Sequence, residues 1–207
     1  FVPRLGGLRE RLIGAVGRRV YFAAYGVISL ALLVWVIAAA GRTPYVELWP
    51  QLPWTRWVPN LTMPVALVLV ACGIGAAQPF TLGGSKTFDP AQPGFAAVSR
   101  HPLFLALALW AGAHLFPNGD LAHVILFGSF AAMALAAILA FDAKARRAAG
   151  ADIFAHTALL SLKPLTCPSW RRANLRRLLV RSVIGLLVWM AMLHLHGFVI
   201  GVSPFPV

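Results

Sequence analysis

The chain has 207 residues, 59% of them hydrophobic and only 12% charged, with a mean hydropathy of +0.77 and a formal charge of +12. No ordinary soluble domain of this length shows that balance, so the composition places the chain among integral membrane proteins. With six acidic residues in all, a carboxylate-rich metal site or an acid–base pair of carboxylates inside a membrane is not expected.

A bilayer core of ~30 Å takes about 20 apolar helical residues to cross. The chain opens on a basic amphipathic stretch with Arg4, Arg9, Arg11, Arg18 and Arg19, and nothing in it resembles a signal peptide. It starts at Phe1 rather than Met, and the expectation is that an earlier segment, another crossing, precedes it. Five crossings are expected within this chain, at about 20–40, 58–77, 102–116, 121–141 and 180–202, and six with the earlier one. The fold class is thus an all-α polytopic bundle, a single transmembrane domain over 1–207. The third crossing is barely long enough, and Pro117-Asn118-Gly119-Asp120 turns it tightly into the fourth. Asp120 is placed to cap that fourth helix.

Sixteen of the eighteen Lys and Arg residues precede the first crossing, fall in the loops 78–101 and 142–179, or start the last helix at Arg181. This is the positive-inside pattern of a multi-pass protein, which puts those loops in the cytoplasm and the loop 41–57 outside. Attraction to anionic lipid heads explains the Arg-rich loops, and no nucleic-acid partner is expected. Trp49, Trp54 and Trp57 suit an outer aromatic belt and Trp170 the cytoplasmic one. The stretch from Asp142 to Arg147 reads as a helix running into the interface with basic stems snorkelling. The loop Gly83-Gly84-Ser85-Lys86-Thr87-Phe88-Asp89-Pro90 reads as a connector.

Cys72 and Cys167 lie in a helix and a cytoplasmic loop, so a disulfide between them is not expected. No CxxC, CxxCH, P-loop, GxGxxG or HExxH string occurs. The histidines carry the chemistry instead, because ionisable side chains are costly in hydrocarbon and usually have a task or a partner there. His101 starts the third helix between Arg100 and Pro102, where an interfacial cap is the plain reading. His114 follows thirteen residues later, about 19 Å along the axis and roughly 220° around it, so the two imidazoles do not share a site. His114, His123, His194 and His196 gather toward the outward half of the membrane. A haem takes one or two neutral imidazoles in an apolar pocket, and His114 meets this with Trp110 one turn away. Chemistry alone leaves haem ligation and interhelical hydrogen bonding both open for His114. His194 and His196 project about 200° apart, so at most one faces the bundle, and interfacial hydrogen bonding is their plain reading.

The strings Arg100-His101-Pro102-Leu103-Phe104, Leu109-Trp110-Ala111-Gly112-Ala113-His114-Leu115, Asn118-Gly119-Asp120-Leu121 and Leu126-Phe127-Gly128 resemble the NnrU family of membrane proteins. Trp49-Pro50, Phe88-Asp89-Pro90 and Pro93-Gly94 extend the resemblance over essentially the whole chain. That family is similar to the plant zeta-carotene isomerases, membrane haem b proteins that convert a cis double bond to trans without net redox change. Its bacterial members are linked by association to nitrite and nitric oxide reduction. The resemblance implies haem b with His114 as an axial ligand, His101 at the family's His-Pro position, and the second axial histidine on a segment before Phe1. Trp110, His101 and His194 are the further cofactor-binding candidates. The isomerases carry a cysteine one turn before the ligand histidine, where this chain has Ala111, a departure from the pattern that their ligand-exchange mechanism uses.

Three functions follow as expectations. A haem enzyme or redox protein would act on a hydrophobic molecule such as a polyene, or on nitric oxide. A sensor or accessory subunit would serve a membrane respiratory complex. A structural subunit would use its histidines only to bridge helices.

Overall fold

The computed structural model describes residues 7–84, 88–149 and 152–206. Arg4, Lys86 and residues 85–87 of the polar loop, on which part of the charge pattern and the connector reading rest, lie outside the described residues. Among the described residues eight α-helices follow in chain order and no strand forms. The chain divides into two compact units, 1–45 and 46–207.

The first unit holds α1 (Leu8–Val16) and α2 (Arg18–Ala40), separated by Gly17 at φ 80°. A residue at positive φ ends the first helix, and glycine takes that conformation without strain. The Arg9 and Arg18 guanidiniums both lie 5.7 Å from the Phe22 ring centroid. The twenty-three residues of α2 expose their apolar side chains along the helix, with Tyr21 its buried residue. Such a surface is stable in lipid and not in water.

The second unit comprises α3 (Trp57–Gly73), α4 (Pro102–Leu115), α5 (Leu121–Ala149), the short α6 (Asp152–His156) and α7 (Lys163–Thr166), and α8 (Pro168–Ile200). Helix α8 packs on α3, α3 on α4 and α4 on α5. Small residues make the close approaches, as expected where lipid removes the hydrophobic drive between helices. A Cβ on Gly185 of α8 would stand 2.8 Å from the Leu67 carbonyl oxygen of α3, and one on Gly73 of α3 would stand 2.5 Å from the Pro102 ring of α4. Ala66, Leu69 and Ala106 form the core between α3 and α4.

Among the described residues four helices are long and apolar enough to cross a bilayer: α2, α3 with the turn before it from Pro53, α5 and α8. The expected third crossing is the fourteen-residue α4, about 21 Å long, so the expectation of five crossings becomes four long helices and one short one. A helix that short needs its flanking backbone satisfied inside the protein. At its start Arg100 N–H donates to Ala158 O at 2.7 Å, and at its end the Asn118 amide donates to His114 O at 2.7 Å. Helices α5 and α8 overshoot their expected crossings, to Ala149 and back to Pro168, because polar extensions continue the helix beyond the apolar run.

The α4–α5 turn is pinned from outside. Leu48 N–H donates to Gly119 O at 2.7 Å, Leu121 N–H to Val46 O at 2.9 Å, and Glu47 bridges Asp120. Asp120 caps α5 as expected, its Oδ1 accepting the His123 N–H at 3.2 Å.

Replacing Gly185 by Val should lower the melting temperature in detergent by several degrees, on the order of 1–3 kcal/mol of overpacking. Gly112→Ala, where nothing lies within 4 Å of the added carbon, should be neutral or slightly stabilising. Equal melting temperatures for wild type and Gly185→Val would remove the close α3–α8 approach.

Candidate functional site

Two polar constellations sit at opposite ends of α4. The first begins with His101, which precedes the helix and is fully buried. Its Nε2 lies 2.8 Å from Asp142 Oδ1 and its Nδ1 lies 3.1 Å from Thr81 Oγ1. Arg100 donates to both oxygens of the same carboxylate, from Nε to Oδ1 and from Nη2 to Oδ2, each at 2.8 Å. The Arg100 guanidinium also lies 5.0 Å from the Phe154 ring, with Arg146 at 4.3 Å. Gln78, buried beside this cluster, donates from Nε2 to Arg100 O at 3.1 Å and accepts the Phe80 N–H. Ser99 is fully buried, and among the described residues its hydroxyl is the one buried side-chain polar atom without a partner.

This arrangement explains the protonation of His101. Burial pushes the imidazole below its ordinary value of 6.5, against the pull of the Asp142 carboxylate, so the native ring is neutral. A neutral ring donating from Nε2 to Asp142 and accepting the Thr81 hydroxyl at Nδ1 satisfies every group in the chain of contacts. The expected interfacial cap is therefore a buried junction that ties the start of α4 to α5.

The second constellation surrounds His114 in the last turn of α4. Its Nδ1–H donates to Trp110 O at 2.7 Å, one turn back. The imidazole lies 5.6 Å from the Trp110 ring and 5.2 Å from Phe127 of α5, while Trp110 meets Phe127 and Phe130 edge-on at 5.3 and 5.6 Å. His123 stacks on Phe127 at 6.2 Å and its Nδ1 lies 2.7 Å from Asp120 Oδ2. Among the described residues Nε2 of His114 makes no hydrogen bond. Anchoring one imidazole nitrogen on a carbonyl fixes the tautomer that leaves the other as a free ligand.

The structure separates the two α8 histidines. His194 is exposed, with Nδ1 bonded to Met190 O at 2.8 Å. His196 is half-buried and bonds Val202 O through Nδ1 at 2.7 Å. Trp110 and His114 are thus together, His101 is at the far end of α4, and His194 faces away. Among the described residues no group of three or more His, Cys, Asp or Glu converges as a simple metal ion would require. A macrocycle that already supplies four nitrogens needs only one or two protein ligands.

Sequence reasoning missed Asp142, Thr81 and His196. Asp142 carried a signal: it is the one acidic residue of α5, placed where the apolar run ends, and such a carboxylate usually has a cationic partner.

These helices and sites define a multi-pass, all-helical membrane protein with a histidine-centred aromatic cluster at one end of its short helix. The family described as NnrU protein matches residues 1–204, and the chain belongs to it. No curated protein and no solved structure matches the chain.

Asp142→Ala strands a guanidinium and an imidazole inside the protein, and should cost about 3–5 kcal/mol, read as a fall in melting temperature and yield. A wild-type melt for that variant would mean the junction carries no stability. For His101, the unfolded chain takes up a proton before the native one as pH falls. Stability should therefore be full above about pH 6.5 and be lost below it, toward the depressed native value. A series of melts from pH 8 to pH 5 should show this slope, and His101→Gln should flatten it; identical slopes would assign it elsewhere.

Proposed function

We propose that this NnrU-family protein binds haem b, with His114 supplying an axial imidazole. The observation that supports the reading most is the His114 geometry: Nδ1–H held on Trp110 O, Nε2 free, and the ring set among Trp110 and Phe127. The donor chemistry fits the group, since His114 offers an imidazole nitrogen without a hydrogen bond, set among the Trp110 and Phe127 rings. Bound haem b supplies an iron centre whose potential and affinity for small ligands follow its axial imidazoles and the polarity around it.

The protein's own groups act around that centre. The Trp110 carbonyl orients His114 and strengthens it as a donor. The Trp110, Phe127 and Phe130 rings exclude water, and His123 with Asp120 provides the polar edge of the pocket. His196 on α8 is the second candidate ligand within the described residues. Ala111 is fully buried one turn before His114 and offers no group to exchange with an axial ligand. That favours binding of nitric oxide or redox work over isomerisation of a polyene by ligand exchange. In this reading the protein belongs to nitrogen-oxide metabolism in the bacterial inner membrane, alone or beside a respiratory complex.

Absorption spectra of the purified full-length protein, oxidised and dithionite-reduced, test the proposal. Wild type should show a stoichiometric b-type spectrum, His114→Ala should lose it, His196→Ala should shift it, and His194→Ala should leave it unchanged. No Soret band after expression with ample haem would overturn the reading in favour of an accessory or structural subunit.

A further inference from the structure

Helix α8 carries a second feature, at the end of the molecule that holds the His101 junction. Ala173, Arg176, Arg177, Val180, Arg181 and Ile184 border one shallow, open groove along α8, at spacings of one and three residues. That spacing puts them on a single helical face. The face carries both kinds of group: Arg176 and Arg177 come first, and the exposed Val180 and Ile184 follow on either side of Arg181. A smaller cavity of about 50 Å³ adjoins it, sharing Arg177 and Arg181 and walled by Trp170, Asn174, Cys72 and Ala76.

The three arginines are not equivalent. Arg181 is committed to the structure, its Nη1 donating to the carbonyls of Ala71, Cys72 and Ile74 at 3.2, 3.0 and 2.6 Å and so capping the end of α3. Arg176 and Arg177 are exposed, and among the described residues the ion pairs are all made by Asp142 or Asp120. Helix α8 contains no acidic residue at all. Two adjacent, uncommitted guanidiniums attract a diffuse anion, and phosphate matches their fork geometry. The aliphatic continuation along the same face suits a chain in hydrocarbon. Trp170, with its Nε1 on Gly94 O at 3.0 Å, sits beside the cavity as an indole does at headgroup depth.

We infer that this groove is a binding site for one anionic phospholipid, its phosphate on Arg176 and Arg177 and an acyl chain along Val180 and Ile184. The cavity beside Arg177 takes the remainder of the headgroup. Arg181 holds the groove's wall by fixing α8 against the end of α3. The site is separate from the His114 pocket and does not depend on haem.

Native mass spectrometry of the full-length protein, released from mixed phosphatidylglycerol and phosphatidylcholine nanodiscs, tests the inference. Wild type should retain phosphatidylglycerol about tenfold or more over phosphatidylcholine. Arg176→Gln/Arg177→Gln should bring the two lipids near parity while keeping the wild-type melting temperature, since neither side chain holds the fold together. Arg171→Gln/Arg172→Gln removes the same charge from the same helix outside the groove and should keep the preference. Equal loss in both double variants would overturn the site in favour of general charge attraction, as would no preference in wild type. Protection of wild type by inorganic phosphate alone, to the same extent as by phosphatidylglycerol, would overturn the lipid assignment.

Discussion

The carboxylate of Asp142 holds two partners that the bilayer would otherwise make costly: the Arg100 guanidinium, bidentate, and the His101 imidazole. All three groups are mostly or fully buried, with side-chain exposures of 14% and 15% for Arg100 and Asp142 and 0% for His101. An unpaired charge in that setting is unstable, so the start of α4 and the far end of α5 are held in one register. The neutral state of His101 follows from its burial, with the nearby Arg100 charge acting in the same direction.

From that junction the rest of the second unit is set out by length. Helix α4 has fourteen residues and reaches His114 at its other end, where Asn118 takes over the His114 carbonyl and Gly119 is clasped by Leu48 and Trp49. A short helix fixed at both ends behaves as a strut, and its last-turn imidazole is placed as firmly as the first. The aromatic packing of Trp110, Phe127 and Phe130 locks the side-chain rotamers around it. Preorganisation of this kind is what a ligating histidine requires, since ring orientation and tautomer decide which nitrogen is available.

The helices were legible in the sequence because membrane crossings are written in composition: long apolar runs, Pro and Gly at the turns, and basic loops. The Asn118–Asp120 turn and the Asp120 cap were legible for the same local reason. The Asp142 junction was not, since its partners lie forty-one and forty-two residues away and the adjoining Lys144, Arg146 and Arg147 made that stretch look like an ordinary snorkelling segment. The choice between His194 and His196 was also out of reach. They differ by two residues, or about 200° of helical phase, and phase is set by where α8 packs on α3. Gly185 settles that packing, but a lone glycine in an apolar run does not announce which neighbour it meets.

Charge counting had a similar limit. The positive-inside pattern treats every arginine alike, as one unit of attraction to the cytoplasmic leaflet. In the structure they divide by what is already bonded to them. Arg100 is consumed by a carboxylate and Arg181 by three helix-end carbonyls, so neither has hydrogen-bonding capacity free for an external anion on those atoms. Arg176 and Arg177 keep theirs, one turn from Arg181 and beside an apolar wall. A guanidinium's role in a membrane protein thus depends less on which side of the bilayer it occupies than on whether the fold has already satisfied it.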